Sequence, residues 1–245
     1  MPAERAEEAR ATMVELFPEG FEEREDGSEV ELAGYTERDD LPRAFAQLGR
    51  VTAREVRPGW GDEWRRFHRP VRIGPLWVGP PWEEPDAGAL AVVIDPGRAF
   101  GTGAHATTRL CLELLLGLER SSLVDVGCGS GVIAVAASKL GFAPVLALDD
   151  DPAAVDAAVA NAAANGVEVE VRLGDALADP LPGADIAVAN IALGPVERVA
   201  VRFEGRVLVG SGYLEDERPS PAGWSVVERR TAEGWAADLL ARRPG

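Results

Sequence analysis

From residue 89 onward, short apolar runs alternate with longer segments whose apolar residues recur at helical spacing. The short runs predict strands at 123–126, 144–148, 167–173, 184–189, 205–210 and 224–231, with a last one near 235–242. The longer segments predict helices at 106–119, 131–140, 152–165 and 195–203. Strands joined by crossover helices belong to the α/β class and predict a doubly wound sheet with helices on both faces. In such sheets ligands bind at the carboxyl ends of the strands. Asp125, Asp149, Asp175 and Asn190 all fall at or near predicted strand ends. Four polar residues converging on one rim are the strongest physical sign of a site.

The first quarter of the chain carries a different pattern. Residues 3–17 read as an amphipathic helix with Ala6, Ala9, Met13, Leu16 and Phe17 near one face, stopped by Pro18 and Gly20. Phe21 to Glu25 and Glu29 to Ala33 read as paired strands around the turn dipeptide Asp26-Gly27. Asp40 can cap a helix over Leu41 to Leu48, with Gly49 ending it, and Val51 to Val56 reads as a further strand. Three segments follow: a small α+β domain at 1–57, an ordered proline- and tryptophan-rich linker at 58–88, and the α/β domain at 89–245. Trp60, Trp64, Trp77 and Trp82 are expected to pack at the junction.

Chemistry enters with Val124-Asp125-Val126-Gly127-Cys128-Gly129-Ser130-Gly131, between the first strand of the α/β domain and its helix. Gly127, Gly129 and Gly131 lack a Cβ, so the backbone can approach a ligand closely. Asp149 closes the next apolar run, and a carboxylate there can accept hydrogen bonds from both hydroxyls of a ribose. The pair predicts a nucleoside-containing cofactor. A dinucleotide fingerprint requires Gly-x-Gly-x-x-Gly. The position of its third glycine holds Val132, so NAD and FAD fit poorly.

A second unusual segment, Ile94 to Arg109, includes Phe100-Gly101-Thr102-Gly103 and His105 and leads into a leucine-rich helix. Thr107 or Thr108 can cap that helix. The glycine turn and helix start offer free N–H donors for the polar edge of a ligand. An ordinary loop and cap accounts for the same residues equally well.

The Asp125 to Gly131 spacing resembles motif one of the class I methyltransferases, which bind S-adenosylmethionine. Phe100-Gly101-Thr102-Gly103-x-His105-x-Thr107-Thr108-Arg109 resembles the signature of the bacterial methyltransferases that modify the eleventh large-subunit ribosomal protein, at the stalk base. Leu148 to Pro152, Asn161 to Gly166, Val188-Ala189-Asn190-Ile191 and the segment Trp64 to Trp82 resemble further blocks of that family, in order. The resemblance implies a Rossmann-like class I methyltransferase domain with a seven-stranded mixed sheet. It also implies a small ferredoxin-like substrate domain, here with its first strand missing and so truncated. A missing strand leaves three outcomes open: an exposed sheet edge, a shifted docking surface or a changed substrate.

The implied activity is methyl transfer from S-adenosyl-L-methionine to lysine or other amino nitrogens of a ribosomal protein. Thr108, Gly127, Gly129, Asp149, Asp175 and Asn190 are the expected cofactor contacts, with Asp175 beside the adenine. Asn190 is also the expected acceptor contact. It stands where many nitrogen methyltransferases carry Asn/Asp-Pro-Pro-Tyr, but Ile191-Ala192-Leu193 follow, so the aromatic member is absent. Phe100 is expected to supply the apolar wall instead. His105 is open between a structural hydrogen bond and a catalytic role. Another protein or a small amine remains the alternative acceptor, and a binding protein that has lost catalysis is the reading from a different class.

Charge narrows the partners. The formal net charge is −16, from 25 basic and 41 acidic residues. That disfavours nonspecific nucleic-acid binding and suits a basic protein substrate. Two cysteines and two histidines do not make a disulfide framework or a metal site, so no metal is expected. No apolar stretch is long enough to span a membrane, and Met1 to Arg10 is charged, unlike a secretory signal. A cytoplasmic monomer is expected.

Overall fold

The computed structural model describes residues 9, 22–26, 29–33, 69–95 and 103–243. The chain divides into two compact units, Met1–Asp62 and Glu63–Gly245.

In the smaller unit, β1 (Glu22–Asp26) and β2 (Glu29–Ala33) form an antiparallel hairpin. Its last pair is Asp26 with Glu29, so the connection falls one residue later than the expected Asp26-Gly27. Ala9 is helical and buried, in keeping with its place on the predicted apolar face. The rest of the 3–17 helix, the 41–48 helix and the 51–56 strand lie outside the described residues.

The larger unit opens with a sheet that the sequence pattern did not disclose. Strands β3 (Val71–Ile73) and β4 (Leu76–Gly79) form a tight antiparallel hairpin, and β5 (Leu90–Val93) adds parallel to β4. The proline- and tryptophan-rich stretch read as a linker therefore contains two strands. Its prolines flank the strands, where no ladder hydrogen bond is lost. Trp77 is buried and Trp82 half-buried, while Trp60 and Trp64 lie outside the described residues.

The main sheet follows the expected alternation. Its strands are β6 (Leu123–Val126), β7 (Val145–Asp149), β8 (Glu170–Leu173), β9 (Ile186–Asn190), β10 (Val207–Leu214), β11 (Trp224–Ala232) and β12 (Trp235–Arg242). Their spatial order is β11-β12-β10-β9-β6-β7-β8. The five strands from β8 to β10 pair in parallel, and β12 lies antiparallel between β10 and β11. Four helices accompany them: α1 (Ala106–Leu116), α2 (Val132–Lys139), α3 (Pro152–Asn165) and α4 (Leu193–Arg202).

Alternation along each strand sends successive side chains to opposite faces. Leu123, Ile186, Val188 and Val209 enter one core with α1, α2 and the small sheet. Val124, Val126, Ala187, Ala189 and Leu208 enter the other with α4, Phe203 and Trp224. Helix α1 is covered on several sides: eight of its eleven residues are buried, Thr107 and Thr108 among them. Strand β8 begins at Glu170 rather than residue 167, and β10 runs on to Leu214 past a bulge at Ser211/Tyr213.

Candidate active site

The register of the parallel strands builds the rim. Val126 stands level with Leu148 and Ala189. One residue further on, Gly127, Asp149 and Asn190 share a row, extended by Leu173 beside Asp149 and Ser211 beside Asn190. Residues 63 positions apart in sequence are thus brought to one edge by strand pairing alone.

Gly127, Gly129 and Gly131 all take positive φ, at 68°, 51° and 76°. L-residues rarely adopt this conformation, so the turn requires glycine. A Cβ on Gly127 would lie 2.5 Å from Ile191 Cγ2. The space left by Gly127 is therefore occupied by the residue that follows Asn190. The Asp149 carboxylate reaches across the rim: Oδ2 accepts from the Gly129 N–H at 2.8 Å and Oδ1 from the Asp151 N–H at 3.0 Å. Each carboxylate oxygen has a second lone pair available to a ligand hydroxyl. Asp151 is the N-cap of α3, with Pro152 in its first turn.

Asn190 ends β9, and its Nδ2 donates to Thr108 Oγ1 at 3.3 Å. Thr108 is buried on the first turn of α1. Thus the Phe100 to Arg109 block and the Val-Ala-Asn-Ile block meet through two of the singled-out side chains. The chain at 96–102, including Phe100, lies outside the described residues.

His105 is the N-cap of α1, with extended dihedrals. Its Nδ1 accepts from the Thr107 N–H at 3.4 Å and lies 2.8 Å from Thr107 Oγ1. Its ring stands edge-on to Trp235, centroids 5.1 Å apart. The cap expected from Thr107 or Thr108 thus falls to His105, because both threonines already lie inside the helix and are buried.

Asp125 does not share the rim. It lies inside the strand, 1% exposed, and its Oδ2 accepts from the Ala134 N–H at 3.0 Å. It thereby satisfies a free donor in the first turn of α2. Burial pushes its carboxyl up to about 7, and the Asp149 charge adds to the rise, against the opposing Ala134 hydrogen bond. Asp175 lies two residues beyond β8. Its Oδ1 accepts from the Leu177 N–H at 2.7 Å, and its own N–H donates to Asp179 Oδ2 at 3.0 Å. The chain's own turn engages this carboxylate. Burial raises the Cys111 thiol to about 12 and pushes Cys128 up as well, so neither favours the reactive thiolate.

Two features escaped the sequence reading. One is a buried cross-strand network in which Tyr213 Oη donates to Asp238 Oδ2 at 2.9 Å and Arg229 donates to the same oxygen at 2.8 Å. The other is the role of Asn161 and Asn165 on α3, noted in the sequence only as part of the Asn161 to Gly166 block: their amides bond backbone rather than solvent. The signal for the latter was present. Two poor helix formers spaced i, i+4 in an alanine-rich helix indicate side chains committed elsewhere.

Among the described residues no group of His, Cys, Asp and Glu could hold a metal ion. No helix among them is long and apolar enough to cross a membrane.

A parallel five-strand core flanked by an antiparallel pair, with a glycine turn and an acidic residue on adjacent strand ends, defines the class I methyltransferase fold. The sequence profile of the family described as ribosomal protein L11 methyltransferase (PrmA) matches residues 16–240, and the chain belongs to that family. It is 42% identical over 203 residues to the ribosomal protein L11 methyltransferase of Symbiobacterium thermophilum, covering 76% of this chain and 66% of that protein. To the protein of the same name from Shewanella pealeana it is 46% identical over 170 residues, 64% of this chain and 57% of that one. These matched stretches amount to somewhat under two thirds of each relative's length. The crystal structure of ribosomal protein L11 methylase from Lactobacillus delbrueckii subsp. bulgaricus superposes with a TM-score of 0.64 at 28% identity, covering 72% of this chain and all of that one.

Proposed function

We propose that this chain transfers methyl groups from S-adenosyl-L-methionine to lysine or amino nitrogens of ribosomal protein L11. The observation that carries the reading is the row of Gly127, Asp149 and Asn190 at one rim, with Asn190 bonded to Thr108. The residues fit the cofactor. The left-handed glycine turn exposes backbone, and Asp149 keeps acceptor capacity for the ribose hydroxyls. Gly127 and Gly129 would border the methionine part, Asp175 the adenine side, and Thr108 the approach to the methyl group.

When bound, S-adenosylmethionine supplies an activated sulfonium methyl, so the chain's task is alignment and exclusion of water. Asn190 has committed its Nδ2 to Thr108, and Oδ1 is the atom left to accept from an amine N–H. An amine held this way would keep its lone pair free of Oδ1 and available to the methyl group. A lysine must be neutral to react. Its reference pKa is about 10.4, and desolvation against an apolar wall lowers it. Phe100 is the residue assigned to that wall.

The unit Met1–Asp62 is assigned to substrate recognition. The −16 charge favours encounter with a basic protein and disfavours direct nucleic-acid binding. A soluble cytoplasmic monomer fits these assignments.

Incubation of the purified chain with labelled S-adenosylmethionine and ribosomal protein L11, read by intact mass, tests the reading. Gains in steps of one methyl are expected. Absence of gain with cofactor binding intact would overturn the L11 assignment and favour another protein or a small amine. Absence of both would remove the cofactor as well.

A further inference from the structure

We infer that Asn161, on α3, is a positioning residue that ties the glycine turn to the segment leading into the Phe100-Gly101-Thr102-Gly103 block. The inference deepens the proposed cofactor site and rests on that reading for its functional consequence. Asn161 is 4% exposed and uses both ends of its amide. Oδ1 accepts from the Asp95 N–H at 3.0 Å, and Nδ2 donates to the Ser130 carbonyl at 2.9 Å. Ser130 lies within the glycine turn, and Asp95 is five residues before Phe100. One side chain therefore joins the glycine turn to the backbone at Asp95.

One turn along α3, Asn165 supplies the contrast. Its Oδ1 accepts from the Val93 N–H at 2.9 Å, while its Nδ2 donates to the Val93 carbonyl at 2.6 Å and the Asn161 carbonyl at 2.8 Å. Helical residues four apart rise about 6 Å, and strand residues two apart about 6.6 Å. The two amides therefore match alternate residues at the end of β5 and just past it, Val93 and Asp95, on the edge that no described strand pairs. Both asparagines hold the edge, but only Asn161 reaches the glycine turn. A residue that served the edge alone would have no use for the second bond, and Asn165 shows what such a residue does.

The pair gives an internally controlled test on the full chain. S-adenosylmethionine affinity is measured by calorimetry, and amide hydrogen exchange is followed over residues 128–134 without ligand. Asn161→Ala should raise the Kd at least tenfold and speed exchange in the glycine turn at least tenfold. Asn165→Ala should lower the melting temperature comparably but change the Kd less than threefold and leave turn exchange near wild type. If Asn161→Ala does not fold, Asn161→Asp replaces it, keeping an acceptor for Asp95 while setting a carboxylate oxygen against the Ser130 carbonyl in place of the donor. Equal effects of the two positions on Kd and exchange would overturn the inference, as would unchanged turn exchange in the Asn161 variant. A wild-type chain that does not bind S-adenosylmethionine would instead sink the cofactor reading, and the exchange measurement would still decide whether Asn161 holds the turn.

Discussion

Asn190 and Thr108 lie 82 residues apart in sequence and meet through a 3.3 Å hydrogen bond at the rim of the sheet. The contact commits Nδ2 to Thr108 and leaves Oδ1 as the end that the proposed reading turns toward the amine. Asn190→Ala should cut turnover by about 100-fold, in the range seen when an oriented polar contact is lost from a reaction centre. Cofactor affinity should stay within threefold. Thr108→Val keeps the side-chain volume but frees the amide, and about a tenfold loss is expected from one hydrogen bond. The double variant should be less than additive, since both changes disturb the same contact. Steady-state kinetics with calorimetry on each variant checks this. Equal losses in affinity and turnover at Asn190 would reassign it to cofactor binding.

Asp149 joins the ribose assignment to the turn it braces. Asp149→Ala should weaken S-adenosylmethionine binding by about 100-fold, the loss of roughly two hydrogen bonds to a charged acceptor. It also deprives Gly129 and Asp151 of their acceptor, so a lower melting temperature should accompany the change. Asp149→Asn restores an acceptor for one of the two backbone groups and should recover stability more than affinity. Calorimetric affinity unchanged in the alanine variant would reject the assignment.

Asp125 makes stability depend on pH. Burial is the main cause of its rise from 3.8 to about 7. Between those values the folded chain holds a proton that the unfolded chain releases, so this residue's contribution to stability falls as pH rises from about 4 to about 7 and is flat above. Asp125→Asn retains an oxygen for the Ala134 N–H and removes the dependence. Its stability relative to wild type should therefore be greater at pH 8 than at pH 4.5, by on the order of 2–4 kcal/mol. Urea midpoints at the two pH values decide, and a constant difference would mean that Asp125 does not titrate in this window.

The cap role of His105 separates structure from proton transfer. His105→Ala should cost about 1 kcal/mol of stability, the usual loss for an N-cap. His105→Asn supplies a capping oxygen in place of the imidazole Nδ1 and should recover most of it, with turnover within about threefold of wild type. Turnover lost in both variants while stability is restored in the second would assign His105 to the chemistry instead.

The centre of the main sheet was legible because β6, β7, β9 and β10 are largely buried on both faces, so their apolar runs stand out against amphipathic helices, whereas the exposed edge strand β8 was given too early a start. Asp149 and Asn190 were legible for the same reason: each is the polar residue that ends such a run. The small sheet was hidden because β3 and β4 are three and four residues long and embedded among prolines, where periodicity has no length in which to develop. Asp125 looked like a rim residue because sequence position cannot tell the last residues of a strand apart by face. Strand pairing puts it one step inside, under α2. His105 was passed over as a cap because Thr107 and Thr108 are the better capping types. Packing decided otherwise by drawing both threonines into the buried first turn.

Gly212, in the bulge of β10, has φ +95°, and a Cβ there would fall 2.1 Å from the Ile191 carbonyl oxygen. The residue after Asn190 is thus seated against the backbone of the neighbouring strand, with Gly127 leaving room for its side chain on the other side. For protein engineering this means the segment around Asn190 is not a portable cassette. Moving Val188 to Leu193 into another α/β scaffold would carry the amide but not its seat, unless the recipient also supplied a glycine at both flanking positions.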